Sequence, residues 1–176
     1  MQRILQWTKG VPQYQAEFKD LEWEKPQQCK WCGCKKFYKW GKYKRYVIEE
    51  DNEHRIPIQR IYCVKCCKTY SYLPSFCVSK INYSADFIMT LLSALIMKIK
   101  YELGDMKRRA YIFLERFVKS ESEWIVFLRA KGVRGYPKDK KERTEKIFTA
   151  LLEYHKGGNL LTDFFREMEH HFMSVK

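Results

Sequence analysis

Two Cys-x-x-Cys pairs, Cys29-Lys30-Trp31-Cys32 and Cys63-Val64-Lys65-Cys66, stand 30 residues apart in the chain. The spacing inside each pair makes a tight turn that can aim two sulfurs at one centre. Four thiolates at about 2.3 Å complete a tetrahedral shell, and soft thiolate donors suit Zn²⁺. One Cys-x-x-Cys alone would equally fit a redox motif; two pairs predict one structural zinc ion held by Cys29, Cys32, Cys63 and Cys66. Such a shell leaves no open position for water, so the expected metal is not catalytic. Gly33 follows the first pair, where freedom to adopt positive φ is useful. Cys67 occupies the equivalent place in the second pair. Cys34 and Cys67 are competing ligands by position only, and Cys77 reads as a packed thiol. His54 reads as a solvated turn residue, and His170 and His171 have no partner at ligand spacing.

The two pairs meet only if the chain between them doubles back. Lys36 to Glu49 is rich in aromatic and β-branched residues, with Gly41 as a bend or bulge. A polar turn follows at Asp51-Asn52-Glu53-His54. Arg55 to Tyr62 then alternates polar and apolar residues, as a half-buried strand does. Pro57 places that strand at an edge, or turns its missing donor away from the ladder. The hairpin carries interleaved cations and aromatics. Lys36, Lys39, Trp40, Lys42, Lys44 and Arg45 on the first strand, with Arg55 and Arg60 on the second, are candidates to grip phosphates and stack on bases. Alternation puts Lys36, Tyr38 and Trp40 on one side and Phe37 and Lys39 on the other, with the register open beyond Gly41. The competing view makes the aromatics a miniature core and the lysines its solvated coat.

Residues 84–176 read as helical. Ser84 caps a helix whose stripe runs through Phe87, Ile88, Leu91, Leu92, Leu95, Ile96 and Ile99. Gly104 ends it, and Asp105 caps a second helix. Lys107, Arg108 and Arg109 lie in its first turn, where the helix dipole disfavours cations, so an anion such as phosphate is a candidate partner. Ser120 and Glu123 fit a capping box for a third helix. The tight joint at Lys119 and Ser120 makes 105–131 a helix-turn-helix candidate. A fourth helix is expected from about Lys138 to His155, stopped by Gly157-Gly158, and a fifth is capped by Asn159. The predicted fold is therefore α+β. An N-terminal arm (1–28) leads into a small antiparallel zinc ribbon (29–83), and an all-α domain of about five helices (84–176) follows.

The 176 residues carry a formal net charge of +13, with 45% hydrophobic and 31% charged residues, a globular mixture. Residues 29–83 hold 12 basic and 4 acidic side chains, so more than half of the excess sits in under a third of the chain. Such a focus favours a polyanion through counterion release. The first residues, Met1 to Trp7, lack the sustained apolar run expected of a signal peptide, and the apolar run from Phe87 to Met97 is too short to span a bilayer. Paired cysteines and an odd total suit a reducing, cytoplasmic setting better than a disulfide framework.

Cys29-x-x-Cys32-Gly33, Lys39-x-Gly41-Lys42-Tyr43-x-Arg45, Arg55-Ile56-Pro57-Ile58-Gln59-Arg60, Tyr62-Cys63-x-x-Cys66 and Leu73-Pro74-Ser75-Phe76 follow one another in order. This run resembles the zinc ribbon at the start of many bacterial transposases and of short transposon-associated proteins. The resemblance covers about a third of the chain. It implies four cysteine ligands, a basic surface for transposon DNA and a following helix-turn-helix. Cys67 departs from the usual glycine. The nuclease domain of full transposases is not expected, because Asp86, Asp105, Asp139 and Asp163 read as helix caps or amphipathic positions and not as a carboxylate set for two-metal chemistry. The expectation is a non-enzymatic, zinc-dependent DNA-binding protein. The alternative is an interaction module in which the ribbon staples a helical domain that binds a transposase or another protein subunit. A homodimer through the last two helices stays open. A nuclease built from helical carboxylates is the least favoured class.

Overall fold

The computed structural model of the chain describes residues 2–50, 52–157, 160, 163, 164 and 168. Asp51 of the expected turn, Asn159 as a cap, and His170 and His171 lie outside the described residues.

The aromatic and β-branched stretch forms β2 (Phe37–Ile48), and the alternating stretch forms β3 (Glu53–Cys63). They pair antiparallel from Phe37↔Cys63 to Ile48↔Glu53, so the hairpin runs from one cysteine pair to the other. The register shifts between Lys39 and Gly41, which leaves Trp40 as the extra residue of a β-bulge. Gly41 sits at φ +95°, a backbone conformation that only glycine adopts at little cost. A third strand, β4 (Thr69–Pro74), returns antiparallel on β3, but pairs only with Arg60, Ile61 and Tyr62.

The N-terminal segment contributes to this sheet. β1 (Gln2–Leu5) pairs parallel with β4, giving the strand order β1-β4-β3-β2. The helix α1 (Gly10–Glu17) lies beside β3 where β4 has left it. Tyr14 Oη donates to the carbonyl of Pro57 at 3.0 Å, and Gln15 Nε2 donates to that of Arg55 at 3.3 Å. Pro57 is thus tolerated inside a four-stranded sheet because a helix, and not a strand, covers that stretch of β3. A chain of rings, Tyr14–Phe18–Trp23–Tyr72, leads from the core under α1 to the core around the cysteines.

The helical half contains α2 (Ala85–Ile96), α3 (Lys107–Lys119), α4 (Glu121–Ala130) and α5 (Lys140–Lys156). Ser84 caps α2 as expected, its hydroxyl accepting from Phe87 N at 3.2 Å. α2 is buried nearly all round; α3 and α5 pack on it and α4 on α5, and Phe113, Phe117, Trp124, Phe127, Ile147 and Phe148 share one core with it. The architecture is α+β, with the strands ahead of most of the helices.

Three local expectations fail for identifiable reasons. Ile99 is exposed and outside the helix, because α2 stops at Ile96 and Lys98 turns to φ +53°. Asp105 lies in a 3₁₀ turn, Gly104–Met106, that opens α3 without a side-chain cap. Ser120 makes no side-chain cap to α4, since its φ −91°, ψ 13° lacks the extended geometry that aims a capping oxygen. α3 and α4 are joined through Ser120 alone, shorter than the three- to four-residue turn of a helix-turn-helix. The first turn of α4 carries Glu121 and Glu123, the wrong sign for a helix entering DNA.

Candidate metal centre and basic surface

The cysteine pairs form two knuckles of matching backbone. In the first, Gly33 N donates to Cys29 O at 2.8 Å and Cys29 N to Cys34 O at 2.8 Å. In the second, Cys67 N donates to Cys63 O at 2.9 Å and Cys63 N to Lys68 O at 3.0 Å. Gly33 has φ +68° and Cys67 φ +56°, so Cys67 adopts the left-handed geometry that glycine supplies in its counterpart. That conformation costs a residue with a Cβ about 1 kcal/mol, which the knuckle's closure must outweigh.

The four Sγ atoms of Cys29, Cys32, Cys63 and Cys66 all lie within 4.8 Å of one another. Across the knuckles, Cys29 Sγ is 3.6 Å from Cys66 Sγ, and Cys32 Sγ is 3.5 Å from Cys63 Sγ. These separations are far beyond a disulfide bond of about 2.05 Å. They approach the edge of about 3.8 Å in a tetrahedron of metal–sulfur bonds of about 2.3 Å. The cluster can therefore hold a metal ion, and its all-sulfur donor set favours a soft one. Cys29 and Cys63 are buried, while Cys32 and Cys66 are half-buried.

The surroundings orient the sulfurs. Tyr70 Oη donates to Cys29 Sγ at 3.4 Å and itself accepts from Lys30 N at 3.0 Å. Trp31 and Phe37 pack on the Tyr70 ring, and Lys68 lies over Trp31. Burial raises the Cys29 thiol, but hydrogen bonds from Tyr70, the backbone and Cys66 together outweigh it and bring the thiol down to about 6. Burial, then the bond to Cys29, raises the Tyr70 hydroxyl to about 12, which keeps it a donor at neutral pH. Tyr70 and Trp31 carry no ligand-like spacing, so the sequence alone does not single them out. Cys34 instead accepts from Lys36 N at 3.4 Å, Cys67 is exposed, and Cys77 is buried under α1. His54 is tied to Glu49 at 3.0 Å and is not simply solvated.

The bulge settles which basic residues share a face. Residues directly opposite one another in a ladder share a side, and sides alternate along a strand. Lys39, Lys42, Lys44 and Tyr46 lie opposite Ile61, Gln59, Pro57 and Arg55. All four partners are odd-numbered residues of β3, so Lys39, Lys42, Lys44 and Arg55 lie on one side. An unbulged strand would put Lys39 and Lys42 on opposite sides. All four are exposed, with Lys42 reaching over Phe18 and Arg55 over Tyr46.

Other expected contacts fall elsewhere. Arg45 and Arg60 belong to the opposite side, both half-buried. Arg45 Nη2 donates to the carbonyls of Val78 and Ile81 at 2.6 Å each, and Arg60 stacks on Tyr43. Both are held within the fold. Trp40 and Tyr38 are exposed and pack on Tyr62, away from the lysine row. Lys36 is exposed just before β2. Lys107, Arg108 and Arg109 are exposed in the first turn of α3, as expected, and Arg109 lies over the Tyr83 ring at 5.3 Å.

A sequence-family profile described as a domain of unknown function (DUF6431) matches residues 29–109, from the first knuckle to the first turn of α3. No curated protein and no solved structure matches the chain. Among the described residues no helix is long and apolar enough to cross a membrane.

Proposed function

We propose that this chain is a non-catalytic, zinc-dependent nucleic-acid-binding protein of the transposon-associated zinc-ribbon kind, acting on DNA in the cytoplasm. The observation that carries this reading is the side of the β2–β3 hairpin on which the bulge aligns Lys39, Lys42, Lys44 and Arg55. Among the described residues no carboxylate interrupts that row, because the hairpin's acids Glu49, Glu50 and Glu53 lie at the far end. The cysteine cluster closes the other end of the hairpin. Zinc is the ion best matched to four thiolates at these separations, and its binding would supply on the order of 10 kcal/mol toward folding the ribbon. Free thiols at all seven cysteines suit a reducing compartment. Three of the four aspartates of the helical half have other work: Asp139 caps α5, Asp86 binds His155 and Asp163 binds Tyr154. That occupation supports a binding role over hydrolysis.

The test is metal content and binding together. The purified chain should carry one zinc and bind duplex DNA with an affinity that falls steeply as salt rises. The double variant Cys29→Ser, Cys63→Ser should lose both properties. A zinc-loaded protein without salt-sensitive binding ends the proposal.

A second reading, a protein-interaction module, draws on Ile99, Tyr111 and Val126, which are apolar and exposed on the helical half. Retention of a protein partner by a chain whose hairpin lysines are neutralised would favour it.

A further inference from the structure

Where the far end of β2 meets α3, a groove of about 450 Å³ opens between the sheet and the helical half. Lys80, Arg109 and Arg116 line it together with Asn82, Tyr83 and Ile112, and among the described residues no carboxylate does. We propose that this groove is a second phosphate-binding site, seating the backbone of the same nucleic acid that the hairpin engages. The inference rests on the nucleic-acid reading and adds a site to it. Lys80 and Arg116 belong to no motif, and the charge pattern of the sequence does not single them out.

The placement of the three cations supports a polymer backbone over a single small anion. Arg109 and Arg116 are seven residues apart on α3, two turns, and so occupy one face. Their separation along the axis is about 10 Å, roughly three nucleotide steps of a duplex strand. Lys80 faces them from the loop after β4. That loop is held in place: Arg45 donates to the carbonyls of Val78 and Ile81, which bracket Lys80, and Lys80 itself adopts φ +60°. Arg45, expected from the sequence to touch nucleic acid, is thus a positioning residue for the lysine that does. The Tyr83 ring supports the Arg109 guanidinium from below.

The seam itself is fastened. Ile48 N donates to Asn82 O at 2.7 Å and Ser84 N to Ile48 O at 2.9 Å, which ties the end of β2 to the start of α2. Groove and lysine row are therefore fixed relative to each other. Ile48 lies four residues beyond Lys44, about 13 Å along the strand, within the length of one short duplex. Two of the nearby acids are engaged: Glu115 pairs with Lys119 at 2.7 Å, although Arg116 also acts on it weakly, and Glu49 pairs with His54.

The experiment uses the zinc-loaded full chain and a duplex of about 20 base pairs, long enough to cover both patches. Lysine acetylation, mapped by mass spectrometry, should slow at Lys80 when the duplex is bound, as at Lys39, Lys42 and Lys44. The variant Lys80→Ala, Arg116→Ala should keep its zinc and reduce the slope of log affinity against log salt by about 2. Protection at the hairpin without protection at Lys80, or an unchanged slope, overturns the groove site and leaves the function standing. Protection of Lys80 by pyrophosphate and not by the duplex also overturns it. A wild-type chain that binds no nucleic acid sinks both proposals at once. Lys80 protection is read on the unmodified protein, so the test survives a variant that fails to fold.

Discussion

The seven cysteines share one chemistry and occupy very different settings. Four converge on a common centre, Cys34 turns its sulfur to the backbone, Cys67 is exposed, and Cys77 is buried in the core under α1. Burial pushes the Cys77 thiol up to about 12, against the smaller opposing pull of Arg45, so it has almost no thiolate at neutral pH. Reactivity follows thiolate fraction and access. Brief alkylation of the zinc-loaded protein at pH 7.5, a condition chosen so that ordinary thiols are partly ionised, should therefore label Cys67 first and leave Cys77 untouched. The four cluster cysteines should become reactive together, and only after a chelator is added. Peptide mapping reads each position separately. Fast labelling of Cys29 or Cys63 before chelation would mean that the cluster holds no ion.

At the scale of elements, what the sequence makes legible is local. Each cysteine pair, the turn-bounded hairpin, the Ser84 cap and the Asp139 start of α5 are decided by residues within a few positions of one another. What it hides depends on distant pairing or on phase. The parallel ladder of β1 on β4 joins residues nearly 70 positions apart, and neither short strand has a pattern that demands the other. The bulge at Trp40 is visible only as a glycine in a strand, yet it decides that Lys39 joins Lys42 and Lys44 while Arg45 turns inward. Helix-end contacts are hidden in the same way. Asp86 in the first turn of α2, where the helix dipole favours a carboxylate, meets His155 in the last turn of α5 at 2.8 Å. The His155 bond holds the Asp86 carboxyl below its ordinary range, against some burial. A depressed carboxylate pKa stabilises the fold above its unfolded value, near 4, and the contribution fades as pH falls through the lower folded value. His155→Ala should return Asp86 toward ordinary titration, followed by NMR of the carboxyl carbon. An unmoved Asp86 would show that the contact does not form in solution.

At the scale of the molecule, the net charge of +13 is less informative than its arrangement. A diffuse basic coat and an ordered basic row have the same isoelectric point but respond differently to substitution. In a coat, neutralising any four cations lowers affinity by similar amounts. In a row set by strand pairing, four particular positions carry several of the phosphate contacts, and each contact contributes about 0.9 to the slope of log affinity against log salt on a duplex. Neutralising Lys39, Lys42, Lys44 and Arg55 together should then reduce that slope by about 3 to 4. Neutralising Lys138, Lys140, Lys141 and Lys156, exposed at the ends of α5, removes the same charge and should change it little. These eight side chains are all exposed, so neither set should alter zinc content or the unfolding midpoint by much. Binding isotherms at four or five salt concentrations, run on both variants and the parent, separate the alternatives. Equal losses from the two sets would mean that the protein attracts polyanions by bulk charge alone, and the alignment produced by the bulge would have no part in recognition.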